Sequence, residues 1–248
     1  MAGKPIIDTY EEDFGSFDAS GFTAQALSSP ANLAAVIDHT LLKPEATREQ
    51  VLQLCKEAAE HRFACAMVNP VWVSLAVKEL RGTGIPVGVV LGFPLGASLT
   101  STKRQEAQAL VALGAHDLDM VLSVGQLKSG DLLAVERDIR AVAEVTHANG
   151  CLLKVILETC LLSVEEKLRA SEVAINAGTD FLKTSTGFST GGATVADVAI
   201  LRGVAGARSG VKASGGIRTL ADTKAMLAAG ANRIGASAGV KILQELAG

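Results

Sequence analysis

The stretch LLKVILETCLLSVEEKLRASEVAINAGTDFLKT, residues 152–184, decides the fold. It opens with a short apolar run of strand length, Leu152-Leu153-Lys154-Val155-Ile156-Leu157. An amphipathic segment follows, announced by Ser163 with Glu166 three residues later. In that capping-box pattern the serine oxygen accepts an orphan N–H of the first helical turn, and the glutamate reaches back to the serine N–H. The helical pattern stops at Ala177-Gly178-Thr179. Glycine suits the left-handed residue that often ends a helix. A second apolar run, Phe181-Leu182-Lys183-Thr184, begins at once. Strand, helix and strand joined this tightly make a parallel βαβ unit.

The unit recurs in both directions along the chain. Further strand candidates are Val36-Ile37-Asp38, Ala64-Cys65-Ala66-Met67-Val68, Val87-Gly88-Val89-Val90-Leu91, Leu118-Asp119-Met120-Val121-Leu122, Val211-Lys212-Ala213 and Arg233-Ile234-Gly235-Ala236. Thr47 with Gln50 repeats the capping box, and Gly114, Gly150, Gly210 and Gly230 repeat the joint at Gly178. Eight alternating units predict an α/β chain closed into a single (β/α)8 TIM barrel over residues 31–248. An open doubly wound sheet would carry an early G-x-G-x-x-G, and none follows an early strand. Glycine-rich turns cluster instead after the sixth, seventh and eighth strands, where barrels often build a phosphate site. Residues 1–30 are polar and weakly patterned, and predict an N-terminal extension, flexible or loosely docked, with a partner-binding arm as the alternative.

Composition narrows the class. Of 248 residues 48% are hydrophobic and 20% charged, enough apolar content for a sizeable core. The net charge of −3 gives no general attraction to nucleic acid or an anionic membrane, so any bound phosphate needs a local site. No apolar run approaches the roughly 20 residues of a spanning helix, and the first twenty residues have no signal-peptide pattern. Cys55, Cys65, Cys151 and Cys160 form neither a C-x-x-C pair nor a zinc pattern, which suits free thiols in the cytoplasm.

Chemistry is signalled by three lysines inside apolar strands. Lys154, Lys183 and Lys212 stand 29 residues apart, about one strand–helix unit, and are expected on consecutive strands at similar heights. Neighbouring strands lie about 4.8 Å apart. Ammonium groups crowded and partly desolvated at that spacing destabilise each other's charge, so at least one pKa should fall. A neutral lysine amine attacks carbonyl carbon and forms an imine, an electron sink for breaking a neighbouring C–C bond. Asp119, flanked by Leu118 and Met120, needs a partner or a proton, and a lysine would serve. It is preferred over Asp117 as the acid–base group. The turns Ser185-Thr186-Gly187, Ser214-Gly215-Gly216 and Gly235-Ala236-Ser237 can present backbone N–H groups to an anion.

Several of these strings resemble deoxyribose-phosphate aldolases. Phe181-Leu182-Lys183-Thr184-Ser185-Thr186-Gly187 is similar to that family's Schiff-base strand, and Val211-Lys212-Ala213-Ser214-Gly215-Gly216-Ile217-Arg218-Thr219 to its second active-site lysine strand. Leu118-Asp119-Met120-Val121 resembles its catalytic-aspartate strand. Further family-like strings run from Ile37 to Pro44, Gly92 to Gly96, Leu153 to Thr159 and Arg233 to Ser237, so the likeness extends from about Asn32 to the C-terminus. The resemblance implies reversible cleavage of 2-deoxy-D-ribose 5-phosphate to D-glyceraldehyde 3-phosphate and acetaldehyde, with no metal and no cofactor. It implies that Lys183 forms the imine, Lys212 depresses its pKa, and Asp119 moves a proton with Lys212 through water. Asp38 and Lys154 would position substrate hydroxyls and that water, while Gly187, Gly215, Gly216 and Ser237 would hold the phosphate. The implied partners are phosphosugar and aldehyde substrates and a second copy of the chain in a homodimer. Two departures stand out. Met67 replaces a cysteine common in the family, and the C-terminal tyrosine of some members is missing, Tyr10 being the one tyrosine. A transaldolase or fructose-bisphosphate type of Schiff-base aldolase is disfavoured by the motif strings. A catalytically silent sugar-phosphate binder is disfavoured by the intact lysine pair and Asp119.

Overall fold

Eight parallel strands close on themselves in the computed structural model, which describes residues 16–248. The strands are β1 (Ile37–Leu41), β2 (Cys65–Val68), β3 (Val87–Leu91), β4 (Asp117–Val121), β5 (Leu152–Ile156), β6 (Phe181–Lys183), β7 (Gly210–Ser214) and β8 (Arg233–Ala236). Each pairs with its sequence neighbour, and β8 pairs with β1. The first strand runs past the predicted Asp38 to Leu41, because the segment stays paired with β2 as far as Leu41 and Val68. Helices α1 (Ala19–Ala26) and α2 (Pro30–Ala34) precede the barrel. Outside it lie α3 (Arg48–His61), α4 (Val73–Glu79), α5 (Thr100–Ala112), α6 (Val124–Lys128), α7 (Leu132–Ala148), α8 (Val164–Asn176), α9 (Val195–Ala205), α10 (Leu220–Ala228) and α11 (Gly239–Ala247). No helix among the described residues is long and apolar enough to cross a membrane.

The two-residue period of a strand explains how charged residues fit in apolar runs. On β4, Leu118 and Met120 point into the main core between sheet and helices, as do Leu153 and Val155 on β5 and Ala66 and Val68 on β2. Burying each such Val, Leu or Met side chain contributes about 1.5–3 kcal/mol. The alternate set, including Asp117, Asp119, Lys154, Lys183 and Lys212, turns into the barrel, where it is just as buried. Both predicted capping boxes form, at Thr47 with Gln50 and at Ser163 with Glu166.

Gly114, Gly150, Gly178 and Gly230 have positive φ, as the helix-end reading expects. Gly210 does not. It lies within β7, where a Cβ would meet the Phe181 ring at 2.3 Å, so close packing rather than handedness requires glycine there. The left-handed residue of that joint is Gly206.

Part of the predicted extension, residues 1–15, lies outside the described residues. In the remainder α1 is capped by Asp18 and packs against α10, and α2 packs against α11. Phe17 covers the Arg202 guanidinium at 4.1 Å and touches Phe22, whose ring joins the main core. Arg202 also donates to the carbonyls of Gly206, Ser209 and Gly230, in loops that enter β7 and β8. The extension therefore meets the barrel at its N-terminal face.

Candidate active site

Inside the barrel, β1, β4, β5, β6, β7 and β8 bring charged side chains into one network. Lys183 Nζ and Lys212 Nζ both donate to Asp119 Oδ2, each at 2.7 Å. Lys212 also lies 2.6 Å from Asp38 Oδ2. Lys154 donates to Asp117 in a short contact and lies 3.4 Å from Asp119 Oδ1 and 3.6 Å from Asp38 Oδ2. Arg233 Nη1 is 3.1 Å from Asp38 Oδ1. The structure thus joins all five sequence-predicted charged residues: Lys183, Lys212, Asp119, Lys154 and Asp38. It adds Asp117 and Arg233, which carried no assigned role.

The heights correct the expectation. Lys183 is in register with Lys212, but Lys154 is in register with Phe181, two residues earlier on β6. Lys154 lies one inward step closer to the N-terminal end, at the level where Asp117 can reach it. The strand stagger that closes a barrel separates the three lysines in height.

Burial governs the charge states first. Lys183 is 3% exposed, and burial pulls its pKa down from 10.5 to about 8. Asp119 opposes that fall, while Lys212 and Lys154 assist it. Lysine crowding is therefore the smaller of the two causes that the sequence reading names together. Burial also acts against charge on Lys212 and Lys154, yet both end above the ordinary lysine value: Asp119 and Asp38 raise the first, and Asp38, Asp119 and Asp117 raise the second. Burial would protonate Asp119, but Lys183, Lys212 and Lys154 together hold it well below the carboxylate range. Lys212 and Lys154 likewise keep Asp38 ionised against its burial.

The glycine turns stand at the C-terminal ends of the same strands. Gly187, Gly215 and Gly216 all have φ near +85°, at 84, 87 and 83°. A Cβ on Gly187 would come within 3.9 Å of Gly215 Cα, so the two turns adjoin; one on Gly216 would meet nothing within 4 Å. Ser237 is exposed and precedes Ala238, the N-cap of α11. Glu158, buried just past β5 with φ 57°, accepts from Thr186 N at 3.3 Å and Thr186 Oγ1 at 2.5 Å. Thr186 Oγ1 in turn accepts from Phe188 N, so Glu158 sets the turn that contains Gly187. Nothing local in the sequence marks this role, since the contact spans 28 residues.

Phe188 meets Phe93 edge-on at 5.2 Å between the loops after β6 and β3. Phe93 packs on Leu42, Cys65, Met67 and Val90, an apolar cluster separate from the main core. Met67 and Cys65 both face the barrel interior and neither is exposed. Burial pushes the Cys65 thiol well above its ordinary pKa. Tyr10 lies outside the described residues. Asp38, Cys65 and Asp117 bring one donor atom each within 4.8 Å of one another. Both carboxylates are already engaged by Lys154, Lys212 and Arg233, and the thiol keeps its proton, so the trio offers no vacant anionic donor set.

Comparison with known proteins places this geometry. Residues 33–245 match the model of the DeoC/LacD family of aldolases. A deoxyribose-phosphate aldolase of Bacillus cereus (strain AH187) is 54% identical over 212 residues, covering 86% of this chain and 95% of that protein. One of Bacillus anthracis is 53% identical with the same coverage. The solved structure of a deoxyribose phosphate aldolase from Aeropyrum pernix, described as tetrameric, superposes with a TM-score of 0.86 at 36% identity, over 93% of this chain and 97% of that one.

Proposed function

The chain belongs to the DeoC/LacD family of aldolases, and from that premise we propose that it reversibly cleaves 2-deoxy-D-ribose 5-phosphate through a Schiff base on Lys183. The observation that carries the reading is the Lys183 amine itself, buried, 2.7 Å from Asp119 and with its pKa lowered to about 8. At pH 7 about a tenth of such an amine is neutral, against a few parts in ten thousand for an ordinary lysine.

In this mechanism Lys183 Nζ attacks C1 of the open-chain sugar, and the adduct loses water to give an iminium. The C2–C3 bond breaks as the C3 hydroxyl gives up its proton, releasing D-glyceraldehyde 3-phosphate. The bonding electrons pass into an enamine, which takes a proton at C2, and hydrolysis releases acetaldehyde. Asp119, held ionised, accepts the C3 proton with Lys212 through water, and the pair returns a proton to C2. Asp38 and Lys154 complete the substrate-binding set by holding this relay where it faces the substrate hydroxyls. Gly187, Gly215 and Gly216 offer backbone N–H groups to the phosphate, and Ser237 adds its hydroxyl beside the start of α11. The setting is the cytoplasm, where the free cysteines stay reduced, and the assembly is a homodimer, to be checked by light scattering.

The test is borohydride reduction in the presence of acetaldehyde, followed by peptide mass mapping. The expected label is on Lys183, and Lys183→Ala should lose the label and essentially all cleavage activity while remaining folded. A label on Lys154 or Lys212 with Lys183 unmodified would sink the assignment.

A further inference from the structure

We propose that Arg233 is a positioning residue for this reaction: by pairing with Asp38 it completes the set of cations around the buried carboxylates and so leaves Lys183 as the member of the network that gives up its proton most readily. The proposal rests on the Schiff-base reading above and extends it to a residue that touches neither substrate nor Lys183.

The barrel interior holds three buried carboxylates, Asp38, Asp117 and Asp119. Facing them, among the described residues, are Lys154, Lys212, Arg233 and Lys183. Lys154 bridges Asp117 to Asp119 and Asp38, Lys212 bridges Asp119 to Asp38, and Arg233 closes on the other oxygen of Asp38. Those three cations match the three anions. A charged Lys183 would then be an ion in excess of the balance in a buried space, and removal from water disfavours its charge. The other strands do not alter the balance. β2 supplies Cys65, which burial keeps protonated, and β3 supplies Gly88 and Val90, which do not titrate. His116 lies 2.9 Å from Asp117 and is half exposed; the hydrogen bond to Asp117 raises its pKa, so it adds positive charge at the acidic end of the range.

Arginine suits the position. A guanidinium does not deprotonate near neutral pH, so it supplies a fixed charge where a lysine could yield its proton. The Arg233 side chain is 17% exposed and its guanidinium lies 5.4 Å from the centre of the Phe181 ring. Lys183 follows Phe181 two residues later on the same face of β6 and stands in register with Lys212, which in turn stands in register with Arg233. The influence of Arg233 on Lys183 passes through Asp38 and Lys212 and not through contact.

The experiment follows kcat/KM for 2-deoxyribose 5-phosphate cleavage across pH, together with borohydride trapping of acetaldehyde on Lys183 over the same range. Arg233→Met removes a cation, so Lys183 should hold its proton more tightly. The acidic limb should move up by about one unit, an about tenfold loss at pH 7 that is recovered in alkali. Asp117→Asn removes an anion and should move the limb down. The double variant restores the balance and should return the limb to its wild-type position, and Arg233→Lys should keep it there. A purely structural role would lower activity equally at every pH. An unmoved limb in Arg233→Met, or a double variant that does not restore it, overturns the proposal. Should Arg233→Met fail to fold, Asp117→Asn decides alone, an unmoved limb again overturning it. Trapping separates the two readings. If the wild type labels another lysine, the Schiff-base reading fails and takes this one with it. If Lys183 is labelled in every variant with an unchanged midpoint, only the role of Arg233 fails.

Discussion

At Asp119 a single carboxylate oxygen accepts from Lys183 and Lys212 at equal distances, while the other oxygen faces Lys154. These contacts have opposite consequences for the two halves of the proposed chemistry. The carboxylate keeps Lys212 charged, and it also opposes the loss of the Lys183 proton. Asp119→Asn would therefore leave Lys183 at least as easily deprotonated as before, so imine formation should survive. Proton transfer to and from the substrate should not. General acid–base catalysis of this kind contributes about 10²–10⁴-fold, and cleavage should fall by about that factor while acetaldehyde and borohydride still label Lys183. Circular dichroism checks that the variant is folded, since three buried lysines lose an anionic partner. Equal loss of labelling and of cleavage would show that Asp119 serves imine formation itself. The need of Asp119 for a lysine partner was visible in the sequence as an acid between Leu118 and Met120, but its sharing between two lysines was not. Sharing depends on the relative height of β4, β6 and β7, which strand stagger sets and spacing in the sequence does not.

The elements show the same division between local and distant information. Strands, capping boxes and most helix-ending glycines follow from neighbours within four residues, and these were legible. Gly210 misled because close approach to Phe181 and left-handed backbone both call for glycine, and one sequence does not distinguish them. Glu158 and Arg233 were read only as parts of family-like strings, because their partners, Thr186 and Asp38, lie 28 and 195 residues away. The turns after β6 and β7 carry a prediction at this scale. Gly216 has φ 83° and open space where a Cβ would go. Gly216→Asp would place a carboxylate in that space, toward the proposed phosphate site. Like charges brought together in this way cost several kcal/mol. The variant should lose about 10–100-fold in kcat/KM for 2-deoxyribose 5-phosphate and much less for unphosphorylated 2-deoxyribose. Gly216→Ala, which adds the backbone strain without the charge, should affect both substrates alike. Equal losses for both substrates in the aspartate variant would remove these turns from phosphate recognition.

The whole molecule divides between its two ends. Buried ion networks are weak contributors to stability, because desolvation offsets their attraction. The charged interior is therefore better understood as a cost accepted for chemistry, with stability drawn from the apolar layer between sheet and helices. Barrel sites lie at the C-terminal face and residues at the N-terminal face serve stability. The seam formed by Phe17, α1, α10 and Arg202 lies at the N-terminal face, across the barrel from Gly187, Gly215 and Gly216. Phe17 and Phe22 are both partly buried there, one over the guanidinium and the other on the core. Fully buried Phe→Ala substitutions cost about 3–5 kcal/mol each, and partial burial reduces this. Phe17→Ala with Phe22→Ala should therefore cost about 2–3 kcal/mol in all. At about 2–4 °C per kcal/mol for a chain of this size, Tm should fall by about 5–10 °C. Turnover measured well below the transition should be unchanged, because no residue of the seam belongs to the charge network or the glycine turns. Calorimetry and steady-state kinetics on the same preparation check both halves. A Tm within 1–2 °C of wild type would mean that the seam adds nothing to the fold. A drop in kcat at 25 °C without unfolding would mean that the two ends of the barrel are coupled.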